Sequence, residues 1–408
     1  MAVRHGYGKI AGADALVFAY DTGDTRNSYK GEPTTNYVSS GDASLVANID
    51  CSNSNVTTTL PDGSTGTARR ITVTGDTYGG IIRANIATSL TIPQGGVSYT
   101  ISCWIRNSGA VAVAAGWEPE VGAPDGYARP NNESGFIGNY QSSSQPNTVS
   151  STWTKVTYTY SYNSTQSSNI VPFIYFGHPV GGSGSGTGAT IDFYQIQIEV
   201  KSHATPYTPG TRSATQGLLD LTGNSTLDLS NVSFDSNAQI EFDGSDDYIT
   251  LPHANSPITN LTYELVARID SIPASNSYRS IWQKSANWNG TTGISMQMIY
   301  GSLTFSYGEI WGGTVQYSLS NLRAGDWYHI VGTADSTAGS DVRFYINGTL
   351  VDTGTSSQTP TTTSNLTIGL GNGGSFDGPI SIFKMYSRAL TASEVANNYR
   401  QYKSRFNL

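Results

Sequence analysis

Phe376-Asp377-Gly378-Pro379-Ile380-Ser381-Ile382-Phe383-Lys384-Met385-Tyr386-Ser387-Arg388-Ala389-Leu390-Thr391-Ala392-Ser393-Glu394-Val395 joins a buried strand to the start of a helix. Thr391 and Glu394 stand in capping-box spacing, where each side chain satisfies a backbone N–H that the first helical turn leaves unpaired. Val395, Tyr399 and Tyr402 then recur at helical spacing, which predicts a short helix over 391–403 docked on a sheet.

Outward from that phrase, the chain reads as all-β. Of 408 residues only 13% are charged, while 45 are glycine and 25 tyrosine; Ser, Thr and Asn crowd the intervals between alternating apolar residues, as many short strands joined by turns require. The length exceeds one ordinary core, and two domains are expected. A net charge of -8 with no basic stripe argues against nucleic acid as a partner. No apolar run is long enough to span a bilayer, and the start Met1 to Ile10 lacks the apolar stretch of a secretory signal, so neither export nor membrane insertion is expected. Cys51 and Cys103 lack metal-ligand spacing and read as reduced thiols.

Period-two alternation locates the strands. Val97, Tyr99, Ile101, Cys103 and Ile105 share one face, and Ser98, Thr100, Ser102, Trp104 and Arg106 the other. The same rule points Val156, Tyr158, Tyr160 and Tyr162 inward, and Tyr194, Ile196, Ile198 and Val200 inward against exposed Gln195, Gln197 and Glu199. Asn169 to Phe176 is apolar on both faces, a central strand in which Pro172 calls for an edge or a bulge. The glycine-rich stretch 181–188 reads as a mobile surface loop, and 204–212, with two prolines and a glycine, as a connector at a domain boundary. Farther on, Tyr263, Leu265, Ala267 and Ile269 share a face, as do Ile294, Met296, Met298 and Tyr300. Asn347-Gly348 supplies the positive φ of a type I′ hairpin turn.

Several of these phrases resemble known families. The closing strand and helix, Trp327 to Val331 with the hairpin Val342 to Val351, Ile240 to Ile249, and Leu366 to Gly369 resemble a concanavalin-A-like, laminin-G-type sandwich across nearly all of 215–403. Tyr99 to Ile105, Thr152 to Val156 and Gln197 to Val200 resemble carbohydrate-binding jelly rolls of tailed-phage structural proteins; Tyr29 to Asn36 and 204–212 resemble the phrases that open and close such modules. Laminin-G-like domains of this kind usually open with an apolar strand like Ala15 to Asp21 directly before a segment like Leu218 to Asn224, and here the two lie far apart. The expected architecture is therefore two antiparallel β-sandwich (jelly-roll) modules plus a short C-terminal helix. It comprises an arm over 1–30 with 13–21 as a strand of the C-terminal sandwich, an inserted jelly roll over 31–210, and the laminin-G-like sandwich over 211–408.

Chemistry is sparse. No Glu-x-Asp-x-Glu row of glycanase type occurs; Glu241 and Asp243 have the right parity, but Gly244 and Ser245-Asp246 end the strand, so no catalytic residue is assigned. The five histidines have no zinc or serine-hydrolase motif beside them, and Gly369 to Gly374 reads as a loop. The resemblance implies calcium as the metal, with Asp243, Asp246, Asp247 and Asp377 as candidate oxygen ligands. Sugar rings stack on flat aromatic faces, and Trp104, Trp117 (in the loop 116–120), Tyr127, Trp288 and Trp311 are the candidates; Trp153 and Trp327 are assigned to packing. The resemblance implies a non-enzymatic structural protein on the surface of a tailed-phage virion, made in the host cytoplasm. Its partners would be other virion proteins, further copies of itself as a homo-oligomer, and host-surface glycans. The alternatives are a passive decoration protein and a polysaccharide depolymerase.

Overall fold

The computed structural model describes residues 4–5, 8–9, 11–38, 42, 45–49, 51–75, 82–86, 90–91, 98–111, 114–123, 126–128, 149–161, 169–177, 187–285, 293–308, 314–336, 341–356, 358–371 and 374–408. The chain is all-β, with antiparallel sandwiches and one C-terminal helix, and divides into two compact units: 1–33 with 213–408, and 34–212. The second unit thus interrupts the sequence of the first. Its first and last strands, Thr34–Thr35 and Thr211–Arg212, pair antiparallel with each other.

In the unit 34–212, one sheet has the order Thr154–Ser161, Ser98–Asn107, Thr190–Glu199, Thr65–Val73, Cys51–Thr59. A second has the order Gly126–Ala128, Ala114–Ala123, Asn169–Gly177, Ile82–Ile86, Leu45–Ile49, with Leu90–Thr91 joined to Asn169–Gly177. Ile71, Val73, Ile101, Cys103, Ile105, Ile191, Phe193, Ile196 and Ile198 are buried on the first sheet, as alternation demands. Pro172 lies in a central strand rather than at an edge. On one side of that strand the partner changes, from Leu90–Thr91 opposite Asn169 and Ile170 to Ile82–Ile86 opposite Phe173 onward, so no ladder bond is asked of the proline there. The stretch 181–186 of the expected glycine-rich loop lies outside the described residues.

Two corrections concern the strand Thr190–Glu199. Gln195 has φ 55 and the register with Ser98–Asn107 shifts between Ser102 and Trp104, a bulge that inverts side-chain parity. Phe193 therefore enters the core, and Tyr194 turns to the outer face beside Trp104. Gln197 and Glu199, expected to be exposed, are fully buried because the returning segment 204–212 covers them. Gln197 accepts from Thr208 N at 2.8 Å, while Glu199 accepts from Thr205 N at 2.8 Å and from Thr34 Oγ1 at 2.8 Å.

The other unit has a six-stranded sheet in the order Thr349–Thr355, Asp341–Ile346, Asp326–Asp335, Leu261–Ile269, Ile380–Tyr386, Leu16–Asp21. Facing it is a sheet led by Ile249–Leu251, Leu366–Ile368, Arg279–Lys284, Ile294–Ile299, Ser302–Tyr307 and Val315–Ser318. Their inner faces share one core in which Trp282 stacks on Tyr263 at 4.1 Å and Phe18, Tyr20 and Phe383 meet edge or face. Burying Phe18 and Phe383 fully contributes roughly 1.5–3 kcal/mol each. Asn347 (φ 49) and Gly348 (φ 73) form the I′ turn. Tyr300 departs from its expected face: it sits in the turn at φ 51, 53% exposed. Within the stretch read as a loop, Leu370–Gly371 and Gly374–Ser375 pair as short strands.

The helix runs Ala392–Phe406, three residues past the expected end, and stops where Asn407 takes a left-handed φ of 54. Its N-terminus carries the reciprocal Thr391 and Glu394 capping box. It packs through Val395, Tyr402 and Phe406 on the face of the six-stranded sheet opposite the core. Arg405 forks onto Asp21 at 2.6 and 2.7 Å, tying the helix to Leu16–Asp21.

Candidate functional site

Three groups of chemically capable side chains emerge. The first lies on the outer face of the five-stranded sheet in 34–212. Trp104 stands opposite Lys155 on one neighbouring strand and Tyr194 on the other, so all three side chains share that face. Trp104, Tyr194 and Trp153 are half-buried and Lys155 is exposed. The Trp153 ring lies 6.4 Å from that of Tyr194, carries the Arg106 guanidinium 4.7 Å above its centroid, and donates Nε1–H to Thr59 O at 2.8 Å. Trp153 thus packs, as the sequence suggests, and also extends an aromatic row.

Asp192 anchors the charges. Its fully buried carboxylate accepts from Arg70 Nε and Nη2 at 2.6 and 3.0 Å, from Arg106 Nε and Nη2 at 3.1 and 3.0 Å, and from Ser108 Oγ at 3.1 Å. That contact holds the Arg70 guanidinium above its ordinary range. At the Gln195 bulge, Asp42 accepts from the N–H groups of Gln195 and Ile196 at 2.9 and 2.7 Å; burial pushes its carboxyl up, against those bonds and the charge of Arg69. Tyr207, on the returning segment, is raised chiefly by burial, with smaller contributions from Asp42 and Tyr194. Alternation alone could find Trp104; Tyr194 required the bulge, and Arg70, Arg106 and Asp192 required the strand order.

The other sugar candidates fare differently. Trp117 and Tyr127 lie on the strands Ala114–Ala123 and Gly126–Ala128, outside the described side chains. The placement of Trp117 in a loop is thus corrected: Pro119 sits opposite Pro172, and antiparallel ladders contain positions where neither N–H is used. Trp288 and Trp311 lie outside the described residues.

The second group is the acidic turn. Asp243, Asp246 and Asp247 bring carboxylate oxygens within 4.8 Å of one another. Asp247 is largely committed to the turn: it accepts from Ser233 N at 3.0 Å, Ser233 Oγ at 3.1 Å and Asp243 N at 2.8 Å, and burial pushes its carboxyl up. Asp377 is opposite Asp243 in the ladder but its Oδ2 lies 3.7 Å from Arg279 Nη1. Asp243 and Asp246 are exposed and offer oxygens of the hard type, whereas Asp247 is buried and Asp377 is engaged by an arginine. Glu241, raised by burial and by Asp235, Asp270 and Asp377, is held by Arg268 at 3.2 Å.

The third group is internal. Lys284, lowered to about 8 by burial, donates to His253 Nδ1, Ser256 Oγ and Ser364 O at 2.9, 2.8 and 2.8 Å. An ammonium has three protons, and these acceptors take them all, so the cluster ties loops to a strand rather than activating Ser256. Beneath the helix, fully buried Glu264 accepts from His329 Nε2 at 2.8 Å, Tyr386 OH at 2.5 Å and Asn398 Nδ2 at 3.0 Å. Lys384 donates to Tyr402 OH and feels the Glu264 charge.

Residues 243–396 match the family model for laminin-G-type domains described as the concanavalin A-like lectin/glucanases superfamily, and this stretch carries a lectin-like domain of that type. A search of curated protein sequences finds no match. Among solved structures, the receptor-binding domain of botulinum neurotoxin type G aligns at 18% identity over 45% of this chain and 48% of that one, with a TM-score of 0.35. The binding domain of botulinum neurotoxin serotype D aligns at 15% over 46% and 49%, TM-score 0.35. Trypanosoma rangeli sialidase in complex with the inhibitor DANA aligns at 15% over 44% and 30%, TM-score 0.33. The chain spans about half or less of the length of each.

No helix among the described residues is long and apolar enough to cross a membrane.

Proposed function

We propose that this chain is a non-enzymatic surface protein that adheres to glycans, and that it serves as a structural component on the surface of a tailed-phage particle. The observation that carries the adhesive reading is the row Trp104, Tyr194 and Trp153 on an outer sheet face, flanked by Lys155, Arg106 and Arg70. Aromatic faces receive the C–H side of a pyranose, and fixed donors beside them select its substituents. The laminin-G-type domain at 243–396 supports a binding role alongside it. The virion assignment rests on the phrases at Tyr29 to Asn36 and 204–212, with other virion proteins and further copies of the chain as partners. Calcium belongs to the same proposal, at Asp243, Asp246 and Asp247.

A glycan array with the intact chain and with Trp104→Ala and Tyr194→Ala tests adhesion. Binding that both substitutions reduce at least tenfold supports the proposal; an array without signal leaves passive decoration as the reading. Labelling intact particles with antibody against the chain tests the virion role. The depolymerase reading draws on Glu241, whose carboxyl is raised amid other acids. New reducing ends released from host envelope polysaccharide, and lost in Glu241→Gln, would replace adhesion with catalysis.

A further inference from the structure

We infer that the platform around Trp104 selects acidic saccharides, those carrying a carboxylate on the ring that stacks or on its neighbour; this rests on the glycan-binding reading above. Among the described residues three cations, Lys155, Arg70 and Arg106, border the aromatic row; the carboxylate of Asp192 is shared by the two arginines, and that of Glu199 on the same face is buried under 204–212. Asp42 and Arg69 at the bulge offset each other. The patch is positive on a chain whose net charge is -8, so it is a local arrangement and not a reflection of composition.

The geometry assigns different parts to the cations. Arg70 and Arg106 share Asp192, whose carboxylate has no exposed surface and neutralises only one of them. The Arg106 side chain, 19% exposed, has its guanidinium carbon 4.7 Å from the Trp153 ring centroid, and its Nη2 also donates to Thr58 Oγ1. A guanidinium fixed in this way loses little conformational freedom when an anion arrives. Lys155 is free of such packing: it is exposed, and its Cβ is paired across the ladder with that of Trp104. A pyranose lying on Trp104 or Tyr194 would therefore place a ring carboxylate within reach of the lysine on one side or the arginine on the other. A neutral sugar would use the aromatic row alone.

The test measures binding of the intact chain to matched pairs of oligosaccharides, each acidic and carboxyl-reduced: oligogalacturonate, hyaluronan and colominic acid fragments, at low and at physiological salt. At least one acidic member binds about tenfold tighter than its reduced partner at low salt, and the advantage shrinks as salt screens it. Lys155→Glu, at an exposed position that leaves the Asp192 clamp intact, weakens the acidic member about three- to tenfold and spares the neutral one. Equal binding of acidic and reduced members, with both lost in Trp104→Ala, overturns acid selectivity and leaves glycan adhesion standing. Absence of binding by every saccharide overturns both. Acid binding unchanged in Lys155→Glu also overturns the inference.

Discussion

Glu264 offers the sharpest test of how the laminin-G-type unit is held together. Its carboxylate is wholly buried between the six-stranded sheet and the C-terminal helix; burial raises its proton affinity, yet His329, Lys384 and Tyr386 outweigh burial and leave it below the ordinary carboxylate range. In Glu264→Leu, three donors on His329, Tyr386 and Asn398 lose an acceptor and Lys384 loses the carboxylate charge that most favours its protonated form. Breaking a buried pair from one side costs about 3–5 kcal/mol, because a desolvated charge is left behind. For a unit of this size Tm falls about 2–4 °C per kcal/mol, so a drop of roughly 10 °C is expected by calorimetry. Pairing Glu264→Leu with Lys384→Met removes the stranded charge as well, and should recover at least half of the loss in a urea-denaturation cycle. A single-variant loss under about 1 kcal/mol, or a double variant no better than the sum of its parts, would refute the reasoning.

Further outcomes follow from the same contacts. Lys284 and Lys384 are lowered to about 8 by burial from 10.5, so between those values the unfolded chain binds more protons and stability should rise with pH. Buried Tyr20 and Tyr263 are held well above 10.0, so above that value the unfolded chain loses protons the folded chain keeps, and Tm should turn down; a Tm falling steadily from pH 7.5 would count against the buried lysines. Gly378, at φ 127, would place a Cβ 2.2 Å from Arg268 O, whereas Gly301, at φ 79, faces open space. Gly378→Ala should cost roughly 2–4 kcal/mol in urea denaturation and Gly301→Ala only about 1 kcal/mol; equal costs would sink the packing argument. If calcium occupies the turn at 243–247, millimolar calcium raises Tm and EGTA reverses it, and Asp246→Asn abolishes the rise; a Tm indifferent to calcium removes the metal from the proposal.

Much of the fold was legible because its signals are local. The Thr391 and Glu394 cap, the Asn347-Gly348 turn and the core faces of Leu261–Ile269 and Ile294–Ile299 depend on residues a few positions apart. The candidate site was legible only at Trp104, an aromatic on an otherwise polar face. Alternation points Tyr194 inward because it has no means of announcing a bulge; only the left-handed Gln195, whose N–H is capped by Asp42 from a distant segment, reverses the count. Gln197 and Glu199 likewise appear solvent-facing in sequence, and become core once 204–212 returns across them.

By itself the sequence determined the all-β class, the capped helix and the scarcity of catalytic motifs, since side-chain period, capping and turn chemistry act within a few residues of one another. Tertiary structure decided what lies beside what. Leu16–Asp21 borders Ile380–Tyr386, more than 350 residues away, and Asp192 joins arginines from two other strands. It also sealed Glu264 beneath a helix that begins beyond residue 390. Such pairings follow from strand order and register, and strand order is a property of the closed sheet that no local stretch of chain encodes.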